Sequence, residues 1–180
     1  VTIIETPVPL LQHHDEFTQL LDLYRQIKPE RVLEVGTYHG GSLYHWLQNA
    51  APKATIVTID SYTTGVDNSD QYTNWATSNA DVVVIRGDSN DPHTAAMAAE
   101  QGPYQWIYID ADHHEHAVRQ DWQLYSPLAA PGGYVILHDI SESSDPTIQV
   151  APLWAELANE WETVEFRSDG GWGIGIVLMP

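Results

Sequence analysis

Ile107-Tyr108-Ile109-Asp110-Ala111-Asp112-His113-His114-Glu115-His116 concentrates six carboxylate or imidazole side chains directly after an apolar run, and Leu137-His138-Asp139 ends a second such run. Carboxylates from two adjacent strand ends can share a hard divalent cation such as Mg²⁺, and imidazole in the set would also admit Mn²⁺, Fe²⁺ or Zn²⁺. Asp110 and Asp139 are the expected ligands, with His138 as a third. A metal there would lower the pKa of an acceptor oxygen, and a nearby base would remove its proton. His113, with an ordinary pKa of about 6.5, can be that base at neutral pH, with Asp110 beside it as the second catalytic residue. Asp112, His114, Glu115 and His116 read more simply as the start of an exposed helix, where acidic side chains favour the positive end of the dipole. The run lacks the H-E-x-x-H spacing of a zinc protease helix.

A second constellation lies upstream. Glu34-Val35-Gly36-Thr37-Tyr38-His39-Gly40-Gly41-Ser42 follows an apolar strand and opens a helix, so its glycines allow close backbone approach where helix amides point outward. Gly36 and Gly40 are four apart, which departs from the G-x-G-x-x-G dinucleotide spacing. Asp60, followed by Ser61, ends the next strand, where a carboxylate can accept both hydrogen bonds of a ribose diol. Gly87-Asp88-Ser89 ends the third.

The elements that must position these residues recur regularly. Strands are expected over 31–35, 54–59, 82–85, 106–109 and 134–137, and over 163–166 and 173–178 as a hairpin. Helices are expected over 10–28, 43–49, 72–78, 92–100, 114–124 and 152–161, with Pro29 ending the first, Ser42 capping the second and His13-His14 at an exposed start. Pro131-Gly132-Gly133 reads as a turn into the fifth strand. The order predicts an α/β fold: a Rossmann-like, doubly wound, mostly parallel seven-stranded sheet with an antiparallel strand near one edge. Both constellations then sit outside the carboxyl ends of the strands, where such sheets bind ligands.

The segments 62–75 and 141–152 are the least regular and are expected to overhang that edge. Gly65 belongs to the turn-rich start of the first. Tyr38, Tyr62, Trp75, Trp154 and Trp172 are candidates for an apolar acceptor pocket, although aromatics at such positions more often pack the core.

The chain of 180 residues has 7 Lys and Arg against 25 Asp and Glu, a formal charge of −18 that repels a phosphate backbone, so nucleic acid is not an expected partner. It has no Cys, which excludes thiol nucleophiles, Cys-ligated zinc and disulfides. No apolar run approaches a membrane span, so no membrane partner is expected. No signal-peptide pattern is seen, a cytoplasmic location is expected, and the start at Val1 leaves a processed beginning open. One domain over 1–180 is expected: an N-terminal helix over 10–28, a cofactor-binding core over 30–140, and a C-terminal helix and hairpin over 150–180.

The motif E-V-G-T-Y-H-G resembles the first motif of class I methyltransferases, E/D-x-G-x-x-x-G, whose loop passes under the amino-acid part of S-adenosylmethionine. The paired segments I-D-A-D-H-H-E-H and P-G-G-Y-V-I-L-H-D resemble the cation-dependent O-methyltransferases and, more closely, the methyltransferase 24 family, which includes cephalosporin-hydroxylase-like proteins. The resemblance covers residues 30–139. It implies S-adenosylmethionine and a divalent cation, Mg²⁺ foremost, as cofactors. It implies Glu34, Gly36, Thr37, Tyr38, Gly40, Ser42, Asp60, Ser61, Gly87, Asp88, Ser89 and Asp110 as cofactor-binding residues, with Asp88 facing the adenine amine. Asp110 and Asp139 match metal positions, His113 stands where catechol-type relatives carry a base lysine, and His138 where relatives carry Asp or Glu. The activity implied is O-methylation of a small hydroxylated metabolite. A methyltransferase-fold hydroxylase and a non-catalytic cofactor-binding module are the alternatives, and a homo-oligomer would allow a partner subunit to complete the pocket.

Overall fold

A computed structural model describes residues 5–63, 67–76 and 80–180. Helices and strands alternate as α1 (His14–Ile27), β1 (Arg31–Val35), α2 (Gly41–Gln48), β2 (Thr55–Asp60), α3 (Ser69–Trp75), β3 (Asp81–Arg86), α4 (Pro92–Ala99), β4 (Tyr104–Ile109), α5 (Glu115–Tyr125), β5 (Ala129–His138), α6 (Ala151–Glu160), β6 (Thr163–Phe166) and β7 (Ile174–Leu178). The strand order is β3-β2-β1-β4-β5-β7-β6. Strands β1 to β5 are parallel, and β7 runs antiparallel to both β5 and β6. This is the mostly parallel sheet with one reversed strand near an edge that the element order predicts.

The chain winds from β1 out to β3 and then crosses back to β4, so strand order reverses between β1 and β4. Both loops of interest leave the sheet at that switch point. Successive strand ends are stitched together by Gly36 N–H to Ile59 O at 2.9 Å, Gly87 N–H to Asp60 O at 3.1 Å and Asp110 N–H to Val35 O at 2.8 Å.

The sheet is buried on both faces, which explains its continuous apolar strands. On one side Val32, Ile56, Trp106 and Tyr108 pack against α1 and α2; on the other Leu33, Val57, Ile107 and Val135 pack toward α4 and α5. Helix α1 presents Phe17, Leu20, Leu21 and Tyr24 to this core, with the Tyr24 ring 4.9 Å from Trp46 and 5.2 Å from Trp106. Each such side chain contributes about 1.5–3 kcal/mol of transfer free energy on burial.

Helix α1 starts at His14, later than the expected start at residue 10. The preceding segment is used otherwise: a Cβ on Gly41 would lie 2.4 Å from Pro9 O and 2.7 Å from Leu10 Cα, so this backbone lies directly on α2. Its other end is Lys28 in the left-handed region, whose N–H bonds to Tyr24 O. The turn expected at Pro131-Gly132-Gly133 is an irregularity inside β5, where the pairing with β4 shifts register. Helix α3 is Ser69–Trp75, displaced from the expected 72–78; Ser78, like Gly65 and Val1, lies outside the described residues. No helix among the described residues is long and apolar enough to cross a membrane.

Candidate active site

Two cavities, of about 320 and 420 Å³, lie side by side along the carboxyl edge of the sheet. The first is floored by Asp110, His113, His138 and Asp139 and walled by Gln12 and Trp172. The second is lined by Asp60 and Ser61 after β2, Gly87, Asp88 and Ser89 after β3, and Asp112. Gly36, Tyr38, Asp110 and Ala111 line both. Gly36 can only be glycine: its φ is +93°, and a Cβ would lie 2.2 Å from Asp110 O. The close approach of the two strand-end loops is thus written into one residue.

Of the cofactor residues expected from sequence, Gly36, Tyr38, Asp60, Ser61, Gly87, Asp88, Ser89 and Asp110 line the second cavity, and Thr37 and Ser42 line the first. Glu34 and Gly40 line neither. Glu34 is fully buried, its Oε1 accepting from Ser42 Oγ at 2.7 Å and Trp46 Nε1 at 3.0 Å and its Oε2 from Thr58 Oγ1 at 3.2 Å. Burial pushes this carboxyl up to about 8, against the pull of those three donors. Glu34 therefore ties the loop to α2 and β2. Gly40 (φ +90°) serves packing, since a Cβ would lie 2.9 Å from the Trp75 ring.

Asp60 is also more occupied than expected. Its Oδ2 accepts from the amides of Thr37 (3.0 Å) and Tyr38 (2.6 Å), and its Oδ1 from that of Tyr62 (2.6 Å). A carboxylate offers about four acceptor positions, so about one remains for a ligand hydroxyl unless the loop yields. Behind Ser89 lies Asp121, buried, accepting from Ser89 Oγ at 3.2 Å and Asn90 Nδ2 at 2.6 Å, and raised by burial to about 7. Tyr125 donates its hydroxyl to Ser89 O at 2.7 Å, so α5 clamps the 87–90 loop.

In the first cavity Asp110 is the hub. Its Oδ2 accepts from Gln12 Nε2 at 2.7 Å and Tyr108 OH at 3.2 Å; its Oδ1 lies 3.1 Å from His113 Nε2 and 3.4 Å from His138 Nδ1. Asp139 Oδ2 lies 3.2 Å from His113 Nδ1 and 3.1 Å from His138 Nδ1. Burial alone would raise Asp110, but the facing imidazoles His138 and His113 hold it well below the usual carboxylate range. Burial alone would depress His138, yet Asp110 and Asp139 lift it to about 10; His113 is raised by the same two carboxylates against the same desolvation. Asp139 holds this position with φ 59°, a left-handed conformation that costs on the order of 1 kcal/mol for a non-glycine residue.

The ligand atoms of Asp110, His113 and Asp139 lie within 4.8 Å of one another, a donor set that fits a divalent cation. His113 is the third member of that set; His138, the expected third ligand, also brings Nδ1 to 3.4 Å from Asp110 Oδ1 and 3.1 Å from Asp139 Oδ2, and its Nε2 is buried without a partner. Both nitrogens of His113 face carboxylates, so as it stands the ring is a donor to both, not the poised base expected from its ordinary pKa.

Two site residues escaped the sequence reading. Gln12 comes from the opposite end of the domain, with no local signal. Tyr108 was accessible: it lies two residues before Asp110, and side chains two apart on a strand share a face. Of the five candidate aromatics, Tyr38 and Trp172 line the first cavity, Trp75 and Trp154 are core, and Tyr62 packs under Arg86, 4.9 Å from ring centre to guanidinium. Ile148 and Thr63 represent the two irregular segments at the first and second cavities.

Residues 33–140 match a family model described as a methyltransferase domain, methyltransferase 24. Among solved structures, the chain is similar to an O-methyltransferase from Bacillus cereus in complex with S-adenosylhomocysteine, with TM-score 0.70 and 19% identity over 96% of this chain and 84% of that one. It is also similar to the MycE methyltransferase of the mycinamycin biosynthetic pathway, in complex with Mg, S-adenosylhomocysteine and mycinamycin VI, with TM-score 0.67 and 20% identity over 97% of this chain and 50% of that one. At such identities the likeness is one of fold. Among curated proteins, the uncharacterized protein y4gI of Sinorhizobium fredii is 24% identical over 160 residues; the match takes in 84% of this chain but spans only 18% of that protein's length.

Proposed function

Because this chain belongs to the methyltransferase-domain family, we propose that it is an S-adenosylmethionine-dependent O-methyltransferase in which the second cavity takes the nucleoside end of the cofactor and the first takes a small hydroxylated acceptor. The observation that carries this reading is the wall of Gly36, Tyr38, Asp110 and Ala111 common to both cavities. Two ligands lying one in each cavity meet only there, and methyl transfer depends mainly on holding oxygen, carbon and sulfur near collinear contact.

S-adenosylmethionine supplies an electrophilic methyl group on a sulfonium. This chain's part is to orient it. Asp60 accepts from a ribose hydroxyl, Asp88 faces the adenine, and the 87–90 loop is held for that task by Asp121 and Tyr125. Gly36 and Thr37 lie where the amino-acid end would pass.

On the acceptor side, the carboxylates of Asp110 and Asp139 would hold a divalent cation, which when bound lowers the pKa of the acceptor hydroxyl. Asp139 fixes His113 through Nδ1, so Nε2, once it has released its own proton to solvent and turned away from Asp110, is the atom that receives the acceptor's proton. Asp139 then stabilises the imidazolium. Gln12 and Tyr108 hold the Asp110 carboxylate in place from the other oxygen.

Calorimetry with S-adenosylmethionine, S-adenosylhomocysteine and NAD, each with and without Mg²⁺, tests the assignment, followed by turnover on a panel of hydroxylated acceptors. Tight binding of the two methionine-derived ligands and turnover are expected. Preference for NAD overturns the reading, and cofactor binding with no turnover across the panel would make the chain a binding module. Unchanged metal affinity in Asp110→Ala removes the cation site.

A further inference from the structure

Asp121 is a fully buried carboxylate on α5 that stands behind the wall of the second cavity without lining it. Both of its hydrogen-bond partners belong to the loop after β3. Oδ1 accepts from Asn90 Nδ2 at 2.6 Å and Oδ2 from Ser89 Oγ at 3.2 Å. Asn90 in turn gives its backbone N–H to Asp88 Oδ1 at 2.9 Å, and Asp88 and Ser89 line the cavity. Helix α5 holds the loop backbone at two further points, Gln120 Nε2 donating to Asn90 O and Tyr125 OH to Ser89 O, each at 2.7 Å.

The Asn90 contact has one direction. Its Nδ2 also donates to Ala117 O at 3.1 Å, so a flipped amide would set its oxygen against two acceptors, and Asp121 Oδ1 accepts whether or not the carboxyl is protonated. The Ser89 contact has two directions. An ionised Asp121 only accepts, so the hydroxyl must direct its hydrogen to Oδ2 and shows the cavity its lone pairs alone. A protonated Asp121 donates to Ser89 Oγ, and the hydroxyl hydrogen is free to turn into the cavity.

Both forms are within reach near neutral pH. Burial pushes Asp121 up to about 7, opposed by the hydrogen bonds from Ser89 and Asn90 and reinforced by the charges of Asp88 and Asp112. The other ionisable groups packed around it are engaged elsewhere: Tyr125 on Ser89 O, Tyr104 of β4 on Ala98 O at 2.6 Å, Asp91 as the cap of α4, and Arg119 with Glu115 and with Glu156 of α6. Helix α4 turns Thr94, Ala95 and Ala98 inward, none of which titrates.

The ligand distinguishes the two forms. On the proposed reading Asp88 takes the adenine amine, which carries the strong donors of that base, while its ring nitrogens only accept. A hydroxyl beside Asp88 on the same wall therefore complements adenine as a donor. Resting on the proposed methyltransferase reading, we infer that Asp121 is a positioning residue for the cofactor: in the bound state it carries a proton, donates a hydrogen bond to Ser89 Oγ, and so turns the Ser89 hydroxyl toward the adenine ring. Cofactor affinity is then coupled to pH, high where Asp121 is protonated and falling as it ionises.

The quantity to measure is the ratio of S-adenosylhomocysteine affinities at about pH 6 and about pH 8, by calorimetry, for the parent protein, Asp121→Asn and Ser89→Ala. Titration of the ligand and of the histidines is common to all three, so differences between the ratios report the Asp121–Ser89 pair. If the protonated form alone binds, a group titrating at about 7 leaves about nine-tenths of the protein competent at the lower pH and about one-tenth at the higher. The parent's ratio is therefore expected to exceed that of each variant by about five- to tenfold. In Asp121→Asn the new amide donates to Ser89 at every pH, which should preserve the parent's affinity at about pH 6. Ser89→Ala lacks the hydroxyl that responds, and it decides the matter alone if Asp121→Asn does not fold. A parent ratio within about twofold of the variants', or a variant that keeps the parent's pH dependence, overturns the inference. A parent protein that binds S-adenosylhomocysteine at neither pH overturns the methyltransferase reading instead.

Discussion

The two cavities share a wall but are built in opposite ways. The second is assembled from consecutive strand ends, β1, β2 and β3, whose loops are stitched by backbone amides and braced by Asp60 and Asp121. The first draws Gln12 from before α1, Asp110 and His113 after β4, Asp139 after β5 and Trp172 from the β6–β7 hairpin. One is a local product of the winding of the sheet; the other exists only when both ends of the domain have docked. On the proposed reading, the difference separates a generic cofactor cradle from an acceptor site in which selectivity can vary with the termini.

Substitutions that affect one cavity alone test this separation. The largest effect is expected from Asp139→Asn, which keeps the shape but removes the charge that holds His113: turnover should fall at least about 100-fold, a loss typical of disabling a general base. S-adenosylhomocysteine affinity should stay within about twofold, and a parallel loss of cofactor binding in the same calorimetric titration would show the cavities to be one unit. Next in size, Asp60→Ala removes a carboxylate that organises the loop amides; S-adenosylhomocysteine should bind about 10- to 100-fold more weakly, the scale of charge-assisted hydrogen bonds. Unchanged affinity would remove Asp60 from the cofactor site.

The smallest effect concerns stability. Burial lifts Glu34 to about 8 from an ordinary 4.5, so between those values the folded protein keeps a proton that the unfolded chain releases. The stability from this group is fully present below about pH 4.5 and is lost as pH rises through about 8. Glu34→Gln mimics the protonated form. It should match the parent in thermal unfolding at pH 4.5 and exceed it by about 3–6 °C at pH 8.5, the shift expected for 1–2 kcal/mol in a domain this size. A variant less stable at both values would mean that the ionised carboxylate is what the core requires.

The same contrast governs what the sequence reveals. The order of elements, the mostly parallel sheet and the residues of the second cavity follow from periodicity and from short-range spacing, because Gly36, Asp60 and Asp88 each stand at a strand end that the apolar runs mark. That His113 joins His138 against the two carboxylates was not legible, since it depends on how the turn after β4 folds over them. Nor was Gln12, which sits in a stretch that reads as helix and is instead laid against Gly41. Glu34 misleads for another reason: its motif marks where a ligand loop begins, while the side chain itself points into the core to satisfy Ser42, Trp46 and Thr58. Of the aromatics, composition could not separate Trp172 at the cavity from Trp154 in the core.

In the proposed mechanism, cofactor and acceptor meet at the wall formed by Gly36, Tyr38 and Asp110. A crystal structure of the protein with S-adenosylhomocysteine tests it most directly. Adenine is expected beside Asp88, a ribose hydroxyl on Asp60 and the sulfur at that wall, facing the cavity floored by Asp110 and Asp139. A nucleoside seated on Asp139 and Trp172, or a sulfur turned away from Asp110, would contradict it.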